Sequence, residues 1–244
     1  MKISLLLTLF LCGNTFCEPT VNLAIGEWPP YVSEQDDDGK ILENVVTEAF
    51  AIEGFRTNFE YFPWKRSYEN TKLGYADGTF PWNKTPTRER EFLTHSIPLI
   101  KDEGVFFHLV DTDFEWQELA DLKAYRVGVV IGFKQLDEYK RLGITPELIE
   151  DEEAAFKMLL TGRIEVYQTS KTVGLSTIKQ LFTPELAENI TFHPKASEVN
   201  EYFVLFSKSS INSENLAISL DAGLQKLKES GRYAELVDVL KTAD

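Results

Sequence analysis

Apolar and polar positions alternate along this chain in short blocks, and the period changes from block to block. Val21-Asn22-Leu23-Ala24-Ile25-Gly26 predicts a short buried strand stopped by glycine. It runs straight into Glu27-Trp28-Pro29-Pro30-Tyr31, where two prolines fix an extended turn. From Glu43 to Glu53 the residues Val45, Val46, Ala49, Phe50 and Ile52 fall at helical spacing, and Gly54 ends the run. Thr57 to Phe62 returns to strand-like alternation stopped by Pro63. Arg66 to Leu73 predicts a second helix ending at Gly74, and Asp77 to Trp82 a third strand followed by a polar loop to Arg88. Strand and helix taking turns in this way predict an α/β fold.

The second half continues the pattern with one interruption. Gly104 to Val110 (GVFFHLV) is a strong strand with no helix ahead of it. Trp116 to Leu122 predicts a short amphipathic helix, Arg126 to Ile131 a buried strand, and Gly132-Phe133-Lys134 the opening of another helix. Ile144 to Ile149 reads as a strand, and Asp151 to Leu160 as a helix whose acidic start suits the helix dipole. Ile164 to Gln168 and Thr172 to Leu181 repeat the strand–helix pair. Tyr202 to Phe206 (YFVLF) is a second isolated strong strand, and Asn215 to Leu227 and Tyr233 to Leu240 are helical. The two isolated strands read as crossings between two α/β lobes: residues 18–107 with 205–244, and an inserted lobe at 108–204.

The first seventeen residues stand apart. Met1-Lys2 precedes an apolar run from Ile3 to Cys12, too short to span a bilayer, and Thr15 and Cys17 suit a cut before Glu18. Residues 1–17 thus read as a secretory signal peptide. Leu11 and Phe16 are poor predecessors for a lipid-bearing Cys12 or Cys17. Removal of this segment leaves no cysteine, so disulfides and thiolate chemistry drop out together. The formal charge of −14 argues against nucleic acid or an anionic membrane as partner. The expectation is an exported, soluble, monomeric protein of the periplasm, without cofactor or metal: His95, His108 and His193 lack metal-ligand spacing.

Candidate chemistry concentrates between Tyr61 and Leu99, where aromatics and arginines crowd together. Aromatic faces with guanidinium forks are suited to holding a small anionic molecule. Trp28, Tyr31, Trp64, Phe80 and Trp82 are candidates to stack on a ligand, each weighed against a place in the core. Arg66 is a candidate ligand group, weighed against a surface pair with Glu69 or Glu43. Ser176-Thr177-Ile178-Lys179 matches a Ser-x-x-Lys pattern without its companion motifs, and no glycine-rich phosphate loop occurs.

Several blocks together resemble bacterial extracellular solute-binding proteins of family 3. EWPPY looks like that family's opening, and Trp64-Lys65-Arg66, Asp77-Gly78 and Thr85-Pro86-Thr87-Arg88 resemble its W-x-R, G-x-x-D and T-P-x-R blocks. Ser96-Ile97-Pro98-Leu99 is similar to its S-D-P block. Asp121-Leu122, the helix–Gly162-Arg163-Ile164-Glu165 unit and Leu227 to Leu236 match as well. The resemblance implies a type II periplasmic-binding-protein fold, two lobes on a hinge, a ligand clamped in the cleft, and delivery to an inner-membrane ABC permease. It implies that Arg88 holds a ligand carboxylate, with Arg90 as rival because the segment to Ser96 is one residue long. Backbone N–H groups after Gly132 and Phe133 would face the ligand from the other lobe. Amino-acid binders of the family carry a carboxylate on the strand after the Gly162 unit; here that strand offers Tyr167 and Gln168 instead.

The reading is a binding module with no catalytic residue, holding a small polar, carboxylate-bearing ligand. Its ligand set is Glu27, Trp28, Tyr31, Trp64, Arg66, Phe80, Trp82, Arg88, Gly132, Phe133, Tyr167 and Gln168. Two alternatives stay open: a lyase like cyclohexadienyl dehydratase on the same scaffold, which a desolvated cleft Glu would favour, and a ligand-binding sensor for a membrane receptor.

Overall fold

The computed structural model describes residues 18–35 and 39–238. The signal-peptide reading of 1–17 and the last two residues of the Tyr233–Leu240 helix lie outside them. The first half runs β1 (Thr20–Ile25), α1 (Ile41–Ile52), β2 (Arg56–Tyr61), α2 (Trp64–Lys72), β3 (Gly78–Trp82), α3 (Pro86–Glu91), β4 (Phe92–Thr94) and β5 (Ile100–Leu109). The second continues with β6 (Val127–Val130), α4 (Gln135–Leu142), β7 (Glu147–Ile149), α5 (Glu152–Leu160), β8 (Val166–Ser170), α6 (Lys171–Leu181), α7 (Pro184–Ala187) and β9 (Ile190–Phe192). It closes with β10 (Glu198–Ser207), α8 (Ser213–Glu229) and α9 (Arg232–Val237).

Neighbouring strands follow the order β2-β1-β3-β10-β5-β8-β6-β7, with β4 on β10 and β9 on β5. At one end β1 pairs in parallel with β2 and β3; at the other β6 pairs in parallel with β7 and β8. The middle is antiparallel. Ile100–Gly104 of β5 lies against Glu198–Tyr202 of β10, and beyond that ladder each strand goes its own way: β5 on to β8 and β9, β10 on to β3 and β4. The β5 strand begins four residues before the expected Gly104, because its continuous buried run covers only Gly104–Phe107. Lys101-Asp102-Glu103 is half in water and lacks an apolar signature.

Side-chain alternation divides the cores. In β5, Val105 and Phe107 point into a core with Phe156, Leu159, Tyr167 and Ile178, while Phe106 points the other way to Trp116, Leu122, Val127 and Val166. The first half has its own core, in which Leu23 and Ile25 meet Val45, Phe50, Phe206, Leu220 and Leu224. There α1 and α8 come so close that a Cβ on Gly223 would stand 2.0 Å from the Ala49 carbonyl oxygen. His95 is structural: its Nε2 accepts from the Val204 N–H (2.9 Å), so Nδ1 carries the proton towards Asp221 (3.3 Å).

Five elements differ from the sequence reading. Trp116–Leu122 is no α-helix; a 3-10 turn at Leu119–Ala124 replaces it, capped reciprocally by Glu118 and Asp121. Inside the expected polar loop Thr85 caps α3 by accepting from the Arg88 N–H, with Pro86 at the first helical position. The short β4 and β9 carry too few residues to show a period. The helix after Gly132 begins only at Gln135, since the Phe133 N–H is taken by the Val130 carbonyl.

Candidate functional site

The turn after β1, the end of β3 and the start of α3 converge on one place. Thr85 and Pro86 set α3, and the third residue of that helix, Arg88, is turned inwards and only 9% exposed. Its guanidinium lies over the Trp82 ring, 4.6 Å to the centroid. One terminal nitrogen donates to the Asn83 carbonyl (3.0 Å), and the other reaches across to the Gly132 carbonyl of the second half (3.4 Å). Gly132 can take that place because its backbone is left-handed, φ +92°. Among the described residues Arg88 makes no ion pair. Burial lowers its pKa, against the pull of Tyr68, Tyr202 and Asp137. Arg90, the rival, is exposed and donates to Thr87 Oγ1 at 3.1 Å.

Trp82 is half-buried, with Nε1 fixed on Thr79 Oγ1 (3.0 Å) and Trp64 edge-on at 5.3 Å. Trp64 donates to the Glu27 carbonyl (3.2 Å) and covers Gly26 so tightly that a Cβ there would stand 2.8 Å from the indole. The exposed Glu27 carboxylate accepts from the Glu34 N–H (2.7 Å), which makes it a brace for its own turn. Trp28 is buried between Tyr31 (5.1 Å) and Tyr202 (4.9 Å).

Three expected ligand groups are engaged elsewhere in the structure. Phe80 has no exposed surface, because the first core closes over it with Phe59 edge-on at 5.9 Å. Arg66 points outwards, its guanidinium 4.8 Å over Phe62 of the preceding turn. Gln168 is buried and engaged at both ends: its Oε1 accepts from the Tyr139 hydroxyl (2.7 Å) and its Nε2 donates to Ser197 Oγ (2.8 Å). Phe133 is only partly buried and packs against both cores of the second half. Tyr31 is also buried, its hydroxyl donating to Asp102 (2.6 Å).

The residues that sequence reasoning missed lie opposite. Glu152, the first residue of α5, accepts from the Tyr167 hydroxyl (2.6 Å) and from Thr169 Oγ1 (2.8 Å). The Trp28 indole, from the first half, comes near enough to favour its charged form, though Trp28 Nε1 completes no hydrogen bond among the described residues. Burial outweighs all three donors and raises the Glu152 pKa. Burial raises the Tyr202 pKa, and Asp102, Glu198 and Glu152 add to that rise. Asp102 of β5 accepts from Tyr31 of the first half and from Ser170 and Thr172 (3.2 Å) of the second. A cluster assembled by tertiary contact leaves little local signal; Glu152 reads in sequence as an ordinary acidic helix start.

Two parallel-sheet halves linked by two antiparallel crossing strands are a known architecture. The fold is that of the type II periplasmic binding proteins. An amino acid ABC transporter substrate-binding protein from Streptococcus pneumoniae, bound to L-arginine, is similar to the chain with a TM-score of 0.74 and 20% identity, over 92% of this chain and 95% of that one. A histidine kinase sensor domain with similarity to periplasmic binding proteins matches with a TM-score of 0.76, 16% identity and coverages of 90% and 95%. An ancestral amino acid-binding protein, a precursor of cyclohexadienyl dehydratase, matches at 0.71, 16%, 90% and 93%. No family model and no curated protein matches the sequence. Structures with this fold thus include a transporter substrate-binding protein, a sensor domain and a dehydratase precursor. Among the described residues no helix is long and apolar enough to cross a membrane.

Proposed function

We propose that this protein is an extracytoplasmic receptor that clamps a small amino-acid-like ligand between its two halves, 18–107 with 205–244 and 108–204. The carrying observation is Arg88: a buried guanidinium with no ion pair among the described residues, resting on Trp82. Its remaining donors suit a ligand carboxylate, and enclosure strengthens such a pair. Glu152 supports an ammonium at the ligand's other end. The carboxylate absent from β8 is supplied by α5 and aimed by Tyr167 and Thr169 of that same strand. Trp64 and Trp82 wall the site. The bound ligand joins Arg88 to the second half and favours closure about β5 and β10. Residues 1–17 direct export, and the loaded form is delivered to an ABC permease; the sensor relative makes a membrane receptor the other candidate partner.

A second reading rests on Glu152 itself. A carboxyl whose pKa is raised by burial is better suited to protonate a leaving group, as a lyase requires. The test is a thermal-shift screen of residues 18–244 against amino acids, dicarboxylates and aromatic acids, each hit then assayed for turnover. A ligand of the folded state raises the melting temperature by mass action. We expect a rise with amino acids that Arg88→Ala abolishes, the affinity falling at least about a hundredfold, with the fold retained by circular dichroism. Undiminished binding by Arg88→Ala overturns the assignment, and product formation replaces the receptor by the enzyme.

A further inference from the structure

A groove of about 720 Å³ lies on the second half, and none of the cleft residues above lines it. Leu175 and Ile178 of α6 form its floor with Phe182 and Phe192, and Lys171 and Lys179 border it. The lysines stand eight residues apart on one helix, about 12 Å along its axis at 1.5 Å per residue. Among the described residues neither is in an ion pair; Lys171 Nζ lies over the Phe192 ring at 5.1 Å. Two ammonium groups without an ion pair among the described residues, beside an apolar trough, stand out in a chain of net charge −14.

We propose that this groove docks an amphipathic, acidic α-helix of a partner protein. Apolar side chains at i, i+3, i+4 and i+7 would enter the trough, with carboxylates two turns apart over Lys171 and Lys179. Two turns of the incoming helix span about 11 Å, which matches the lysine spacing within the reach of their flexible stems. The trough is open rather than enclosed, so a compact small molecule would leave much of its surface wet, whereas a helix laid along α6 covers it. A partner bearing one charge would satisfy one lysine and leave the other beside a covered apolar face. The surface therefore selects for charge pattern as well as for apolarity.

The test is fluorescence anisotropy with a fluorescein-labelled peptide of about fifteen residues. Leucines occupy its apolar face, and glutamates stand two turns apart; a control peptide carries lysines in their place. The acidic peptide is expected to bind the mature chain and the control to bind at least about tenfold more weakly. Lys171→Glu with Lys179→Glu should reverse that preference, and Leu175→Glu should weaken the acidic peptide. Both variants should retain the thermal shift given by any cleft ligand, which separates this site from the receptor reading. Equal binding of the two peptides, no binding, or an unchanged preference in the double variant overturns the proposal. So does concentration-dependent self-association that Leu175→Glu abolishes, since the occupant would then be a second copy of the chain.

Discussion

Burial holds the Glu152 carboxyl above the usual carboxylate range, against the hydrogen bonds of Tyr167 and Thr169. Its folded pKa is raised above the ordinary 4.5 by burial, so the native state binds protons more tightly than the unfolded chain. Stability from this group is therefore fullest below pH 4.5 and declines as pH rises through the folded pKa. Glu152→Gln should remove the decline, raising the melting temperature at pH 7 while weakening an amino-acid ligand at least about tenfold. Melting curves from pH 4 to 8, with and without ligand, check both halves; a variant no more stable at pH 7 would deny that the charge is desolvated. Arg88 and Glu152 also show what a sequence discloses at this scale. Thr85-Pro86-Thr87-Arg88 carries its own cap and helix start, so the arginine is placed by its immediate neighbours. Glu152 is defined by Tyr167 and Thr169, fifteen and seventeen residues away on another element. Nothing around Glu152 in sequence distinguishes it from Glu153, which faces solvent and pairs with Lys157.

At the scale of elements, period and length decided what could be read. The long stripe of α1 was plain: Val45, Val46, Ala49 and Phe50 recur at helical spacing and are all buried. The three-residue β4 and β9 are too short to contain a period, and the 3-10 segment at Leu119–Ala124 borrows the spacing of a helix for only about two turns. Helix contacts were harder to foresee, because they depend on which faces meet. Gly223 is the example: its missing side chain lets α8 lie on the Ala49 backbone, a contact no propensity argument requires. Gly223→Ala, normally favourable within a helix, should here destabilise the protein by about 3 kcal/mol. Urea unfolding measures this directly, and a stabilised variant would mean that α1 and α8 can separate freely.

For the whole molecule, strand order mattered more than strand identity. The α/β class and the two crossings were legible because GVFFHLV and YFVLF each stand without the helix that an α/β repeat supplies. That the crossings lie side by side was not legible, since the polar Lys101-Asp102-Glu103 carries most of their ladder. This pairing makes one of the halves editable. Gly104 faces Glu198 in an antiparallel register, so the chain leaves the first half and re-enters it at neighbouring points. Everything between could be excised and the gap closed by a two-residue Asn-Gly turn, turning two crossing strands into a hairpin. The shortened chain, 18–104 joined to 198–238, should unfold cooperatively and retain the core of Leu23, Phe50, Phe206 and Leu224. Calorimetry would show one transition if it does, and none if the remnant is only a collapsed chain. The hinge is then also a splice point, at which this molecule can be taken apart and rebuilt as a single-sheet domain.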